Sequence, residues 1–302
     1  MHIALLHLRV RVEERLLYEA LASVGARVEM IDLRRVVFDP ERAGDWDRFD
    51  AVLDRSLSLT CSLNATRILE GFGLRCINSS LTAEVCGDKL RTTIALMRAG
   101  VPTPAVRVAL DAESAVQAVE QIGYPCVIKP TIGSWGRLVA RVNDRDAAEA
   151  VIEHRDQLGS THQHVYYVQE HINKPGRDIR VFVVGGCAIA AIVRTSTHWI
   201  TNTARGAEAG GLTVSPDMAD LCRRAAQAVG ADVCAIDLLE CPRRGLLVNE
   251  VNHSMEFRNS IDTTGINIPL RIAEHVMLIA RAQRDAAGPM FPVVRTDREV
   301  HA

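Results

Sequence analysis

The chain has 302 residues, 48% hydrophobic and 24% charged, with a formal net charge of -2. That length allows two or three compact units, the near-neutral balance argues against a general nucleic-acid or membrane-surface binder, and no apolar run is long enough to cross a bilayer. Eight cysteines (61, 76, 86, 126, 187, 222, 234 and 241) are scattered with no Cys-x-x-Cys pair, as suits reduced core thiols in a cytoplasmic protein rather than a disulfide framework or a zinc site.

Residues 2–7 read as a first strand rather than a leader peptide, since no basic segment or small-residue cleavage site accompanies them. A helix over 13–24 stops at Gly25. Strands follow over 28–32, 51–54 and 74–77, with a helix over 60–70 between the last two. Such alternation predicts a small, largely parallel sheet covered by helices, in a unit spanning 1–80. A helix from Thr82 to Arg98, stopped by Gly100-Val101-Pro102, opens a second unit over 81–168. Within it the pattern predicts a helix over 112–122, a strand over 126–129, a glycine-containing loop over 130–137, a strand over 138–142, a helix over 145–154 and a strand over 164–169. A third unit over 169–284 carries a hairpin, 179–184 and 188–195 around Gly185-Gly186. A helix over 216–229, strands over 233–239 and 246–253 and a helix over 268–284 complete it. Residues 285–302 have little periodicity and read as a flexible tail.

The most informative stretch is Leu246-Leu247-Val248-Asn249-Glu250-Val251-Asn252-His253. Side chains on a strand alternate, so Glu250 and Asn252 share a face with Val251 turned opposite. Asp237 lies among apolar neighbours on the preceding strand. A solvated strand end explains one acid easily. Two acids and an amide at the ends of adjacent buried strands instead suit Mg2+, a hard ion that prefers oxygen ligands.

Cationic candidates precede this set. Lys129 ends an apolar strand just before the loop holding Gly133 and Gly136, where an ammonium and backbone amides can reach phosphate oxygens. Lys89 supplies a second cation. Neither is specific alone, and no Gly-Lys-Ser/Thr follows to make a P-loop. Gln169 and Glu170 end another apolar strand, where backbone can pair with a nucleobase and Glu170 can accept from its amino group or the ribose. Arg180 and Arg194 fall on paired strands of one hairpin and suit a carboxylate or phosphate. Arg205, in the loop Asn202-Thr203-Ala204-Arg205-Gly206, sits as a residue must if it closes over substrate.

Taken in order, these residues resemble the ATP-grasp superfamily over nearly the whole chain. The runs Cys86-Gly87-Asp88-Lys89, Lys129-Pro130, Ile132-Gly133-Ser134-Trp135-Gly136-Arg137, Lys174 through Gly185, His198 through Gly206 and Leu247 through Phe257 are similar, more closely, to the LysX/ArgX ligases. These join an amino acid to the small carrier protein LysW and are relatives of RimK-type glutamate ligases. The resemblance implies an α/β chain in which two ATP-grasp subdomains follow a small N-terminal α/β domain. It implies ATP held by Lys89, Lys129, Gly133, Ser134, Gln169, Glu170, Arg180 and Arg194, with Mg2+ on Asp237, Glu250 and Asn252. Asn202 and Arg205 become catalytic lid residues, Arg205 at the developing oxyanion. Arg194, Asn202, Arg205, Ser260 and Thr263 bind substrate, the last two from a segment over 259–265 lining the amino-acid pocket. Partners implied are 2-aminoadipate or glutamate, an acidic LysW-type carrier met by a basic face (Arg9, Arg11, Arg15, Arg34 and Arg35 being candidates), and further copies of the chain. One departure stands out: after Arg205 the family pattern is Gly-Gly, here Gly206-Ala207, and Ala207 tolerates positive φ poorly.

Rival readings are a RimK-like protein glutamylase or a carrier-dependent ligase of specialised metabolism, an inactive nucleotide-binding regulator, and a nicotinamide oxidoreductase. The last lacks a Gly-x-Gly-x-x-Gly after the first strand.

Overall fold

The computed structural model describes residues 1–133, 137–160, 164–201 and 206–287. Three sheets succeed one another along the chain. The first is wholly parallel, with order β2-β1-β3-β4, from β1 (His2–His7), β2 (Arg27–Asp32), β3 (Ala51–Asp54) and β4 (Cys76–Ile77). α1 (Val12–Ser23) and α2 (Leu59–Gly71) make its crossovers.

The expected single helix over 82–98 is two, α3 (Ser80–Gly87) and α4 (Lys89–Arg98). Asp88 breaks it with extended backbone (φ -123°, ψ 118°), and its carboxylate accepts from the amides of Leu90 and Arg91 at 2.8 and 3.2 Å. A side chain that caps new amides competes with helix continuation. The break starts a fresh helix at Lys89, whose amide donates to Thr131 O at 2.9 Å and so ties it to the glycine loop.

The second sheet, order β5-β8-β6-β7, is antiparallel: β5 (Val106–Ala109), β6 (Cys126–Lys129), β7 (Ala140–Val142) and β8 (Tyr166–Glu170), covered by α5 (Ala112–Ile122) and α6 (Arg145–Leu158). The third, order β11-β10-β9-β12-β13, is also antiparallel: β9 (Arg177–Val184), β10 (Cys187–Thr195), β11 (Glu208–Leu212), β12 (Val233–Cys241) and β13 (Gly245–Asn252). α7 (Pro216–Val229) packs on one face of it. Ser215 caps that helix through the Met218 amide, Pro216 opens it, and Gly230 ends it in the left-handed conformation.

α8 (Arg258–Thr264) and α9 (Ile268–Ala287) follow. α9 returns to the start of the chain, so Ile272 and Val276 share one core with Leu5 of the first sheet, Leu17 and Leu21 of α1, and Phe182 and Val184 of the third sheet. The first and third units are therefore fused through a common apolar core. Asn78, 6% exposed, adds polar stitching: its Nδ2 donates to Val233 O at 2.6 Å and His253 O at 2.8 Å, and its Oδ1 accepts from the amides of Asp232 and Val233 at 2.8 and 3.0 Å. No helix among the described residues is long and apolar enough to cross a membrane.

Candidate active site

The second and third sheets and the loops after β3 and β13 enclose a cleft of about 440 Å³. Strand register builds its floor. Arg180 lies opposite Asp237, Asp237 opposite Glu250, and Asp178 opposite Arg194. Arg180 Nε and Nη2 donate to the two oxygens of Asp237 at 2.7 and 2.8 Å, and Arg194 Nη2 stands 3.2 Å from Asp237 Oδ2. Arg194 Nε donates to Asp178 Oδ1 at 2.6 Å. The Thr201 hydroxyl donates to Asp178 Oδ2, and Lys174 Nζ donates to Thr201 Oγ1 at 2.6 Å. Burial would push the Asp237 carboxyl up, but the Arg180 and Arg194 guanidiniums outweigh it and hold the group well below the usual carboxylate range.

The sequence suggested Arg180 and Arg194 as anion holders. The structure engages the paired nitrogens of both with Asp237 and Asp178, and Arg194 is 2% exposed. As built, they orient carboxylates. Asp178, Lys174 and Thr201 fall within the family-like runs, but the sequence assigns them no role because their partners are set by tertiary packing, which one strand's pattern does not reveal.

The alternation expected for β13 is modified by a bulge. Asp237 pairs with Glu250 but Leu238 with Val248, so Asn249 is an extra residue. Asn249 and Glu250 both line the cleft, as does Asn252, while Val248 and Val251 both enter the core beneath α7. Asn249 Oδ1 accepts from Lys129 Nζ at 3.3 Å and from Gln169 Nε2 at 3.1 Å, and Lys129 also donates to Gln169 Oε1 at 2.7 Å. Desolvation pulls the Lys129 ammonium down to about 8, with Glu250 opposing the shift and Lys89 adding to it. Lys89 Nζ donates to Gly133 O at 2.5 Å and lies 3.9 Å from Glu250. Gly133, at φ 150°, marks the loop. Glu170 accepts from the Ala105 amide at 2.9 Å and from Arg244.

Asp237, Glu250 and Asn252 offer two carboxylates and an amide oxygen to one region. Asp237 Oδ1 accepts a single hydrogen bond among the described residues, and Asn252 uses its Nδ2 on Ala235 O at 3.5 Å, leaving oxygen lone pairs on both. That donor set fits a hard divalent ion. No cluster of three His, Cys, Asp or Glu occurs among the described residues.

Ser134, Asn202 and Arg205, with Trp135, lie outside the described residues. Gly206 takes the left-handed conformation, φ 85°, and Ala207 does not, so the Gly-to-Ala departure carries no backbone strain. Gly210-Gly211 belong to β11; a Cβ on Gly211 would stand 2.5 Å from Thr263 O, so this glycine serves strand–helix approach. Ser260 and Thr263 are not brought to the cleft. The segment over 259–265 forms most of α8; Ser260 is buried, the Thr263 hydroxyl donates to Asn259 O at 2.8 Å, and neither lines the cleft. Ser254, Met255 and Glu256 line it instead. Of the arginines considered for a basic face, Arg11 pairs with Glu14 and Glu256, and Arg34 and Arg35 with Asp32.

Comparison with known proteins agrees with this geometry. Residues 86–276 match the RimK-like ATP-grasp domain and residues 3–85 the LysX preATP-grasp domain. The chain is 34% identical over 269 residues to glutamate–LysW ligase ArgX of Sulfurisphaera tokodaii, covering 88% of this chain and 95% of that one. It is 36% identical over 220 residues to alpha-aminoadipate–LysW ligase LysX of Sulfolobus acidocaldarius, covering 72% and 80%. The crystal structure of a RimK domain ATP-grasp protein from Sphaerobacter thermophilus superposes with a TM-score of 0.77 at 31% identity, covering 92% of this chain and 100% of that one.

Fold and cleft together define an ATP-grasp enzyme, a class of ATP-dependent, ADP-forming carboxylate–amine ligases. Within that class, the chain belongs to the RimK-like ATP-grasp family with a LysX-type preATP-grasp domain.

Proposed function

We propose that this ligase joins 2-aminoadipate or glutamate, through its amino group, to the C-terminal glutamate of a small acidic LysW-type carrier in lysine or arginine biosynthesis. The observation that carries the reading is one cleft holding two phosphate-suited lysines, a hard-cation donor set and a wall from the first domain, in a chain aligned over most of its length with LysW ligases.

Lys89 and Lys129 hold the phosphates of ATP beside the Gly133 loop, with Gln169 and Glu170 at the base and ribose. Asp237, Glu250 and Asn252 would hold Mg2+, which when bound offsets phosphate charge. Arg180 and Arg194 keep Asp237 ionised and aimed, so this ligand needs no reorganisation when charge develops. The carrier carboxylate takes the terminal phosphoryl group to give an acyl phosphate. The amine attacks that carbonyl, phosphate leaves, and an amide remains. Asn202 and Arg205 are the residues assigned to shield and stabilise this step, and exclusion of water protects the acyl phosphate. Carrier and amino acid are the macromolecular and small partners; neither nucleic acid nor membrane enters the reading.

Intact-mass analysis of a LysW-type carrier incubated with the protein, MgATP and either amino acid tests this. A gain of one aminoadipyl or glutamyl residue is expected and names the branch. No gain with ATP still bound refutes the carrier assignment and directs the search to another acceptor.

A further inference from the structure

Among the described residues five acids line the cleft: Glu170, Asp178, Asp237, Glu250 and Glu256. Four are accounted for. Glu170 is held by Ala105 N and Arg244, Asp178 by Arg194 and Thr201, Asp237 by Arg180 and Arg194, and Glu250 stands in the donor set beside Lys89. Glu256 is different. Its side chain is 36% exposed, and among the described residues its hydrogen bonding is to Arg11 alone, Nη1 to Oε1 at 2.9 Å. Oε2 is left with no described partner.

Its mounting is unusually firm for a half-exposed acid. Arg11 is itself fixed by Glu14, a fully buried carboxylate that accepts from Arg11 Nε and Nη2 at 3.0 and 2.7 Å. Arg55, 4% exposed, donates to Met255 O at 2.9 Å and Ser254 Oγ at 3.3 Å, fastening the chain that carries Glu256. The first domain thus fixes a carboxylate that lines a cleft otherwise rich in cations, a cleft to which Ser56, Leu57 and Leu59 of that domain also contribute.

We propose that Glu256 is the ammonium-binding carboxylate and proton acceptor for the incoming amino acid. This rests on the ligase reading above, in which the nucleophile is an amine that arrives protonated. Glu256 Oε2 receives an N–H of the ammonium and takes that proton, giving a neutral amine and a carboxylic acid. The nitrogen lone pair then forms the C–N bond, the carbon–phosphate oxygen bond breaks with its electron pair on phosphate, and phosphate takes the second nitrogen proton. The groups facing Glu256 are Arg11, Glu13, Arg55 and Arg180; burial pushes its carboxyl up and Glu13 adds to this, against the three arginines. A raised carboxyl is a better base for an ammonium than an ordinary one.

Glu256→Gln keeps the size and an oxygen for Arg11 but cannot take a proton. With carrier, MgATP and amino acid near pH 7, kcat/KM for the amino acid should fall by about 100-fold, the scale of a lost general base. The residual rate should climb with pH alongside the free amine, whereas wild type levels off. Hydroxylamine, largely unprotonated at that pH, replaces the amino acid in a parallel arm and traps the acyl phosphate as a carrier hydroxamate read by intact mass. Hydroxamate should still form with the variant. Loss of both products overturns the inference, since the defect is then general, and so does retention of full amino-acid transfer. A wild-type protein that forms no hydroxamate refutes the acyl-phosphate reading, and this inference with it.

Discussion

Asn78→Ala removes the polar stitch between the first and third units. Four hydrogen bonds are lost, two from Nδ2 to the carbonyls of Val233 and His253 and two from the amides of Asp232 and Val233 to Oδ1. At about 1 kcal/mol net for each buried bond the loss is about 4 kcal/mol; stranded amides raise it and an entering water lowers it, giving a window of about 3–5 kcal/mol. Urea unfolding followed by circular dichroism, with midpoint and slope compared with wild type, measures it. Asn78→Asp is the companion. It keeps the two accepted bonds but sets a carboxylate oxygen where the amide donated to carbonyls at 2.6 and 2.8 Å. Such a carboxyl has its folded pKa raised, so its penalty is present at neutral pH and eases as pH falls through that raised value. A loss below about 1 kcal/mol for Asn78→Ala would refute the claim that this side chain joins the units.

Three more outcomes follow from the site and its supports. Arg194→Met leaves Asp178 and Asp237 buried beside a neutral chain and should destabilise by about 3–5 kcal/mol, with Asp178→Asn in the same chain restoring part of it, by the same unfolding assay. Lys129 carries its charge below about 8 and loses it above, so affinity for a non-hydrolysable ATP analogue should weaken as pH rises through 8, by up to about tenfold per unit, and Lys129→Gln should flatten that slope in calorimetric titration. Gly211→Ala forces a Cβ against the Thr263 carbonyl and should cost about 1–3 kcal/mol, a drop visible in thermal unfolding.

Elements with strong periodicity were legible from sequence. α5 and α7 begin and end where cap, glycine and proline signals place them, and β6 stops at Lys129 as its apolar run predicts. β11 was missed because Glu-Ala-Gly-Gly-Leu is an edge strand without apolar alternation, its glycine dictated by contact with α8. The break at Asp88 was missed because an aspartate before a lysine reads equally as helix interior. In the cleft, residues carrying a strand-end signal were visible: Lys129, Gln169, Glu170, Asp237, Glu250 and Asn252 all line it. Those placed by tertiary packing were not. Arg55 lies 200 positions from the carbonyl it holds, and Asp178 reads as an ordinary acid until Arg194 is beside it.

The bulge at Asn249 also bears on how this hairpin tolerates changes of length. On its turn side Leu238 faces Val248 and Leu239 faces Leu247; on its cleft side Ile236 faces Val251 and Ala235 faces Asn252. Deleting a residue within either regular half would turn a run of core side chains outward, because a strand changes face with every residue. Deleting Asn249 itself would close the ladder with Val248, Glu250, Val251 and Asn252 still on their present faces. The strand therefore contains one position where a deletion leaves the core faces unchanged while removing a contact to Lys129 and Gln169. A family could gain or lose its contact to those two side chains there without disturbing the donor set next to it.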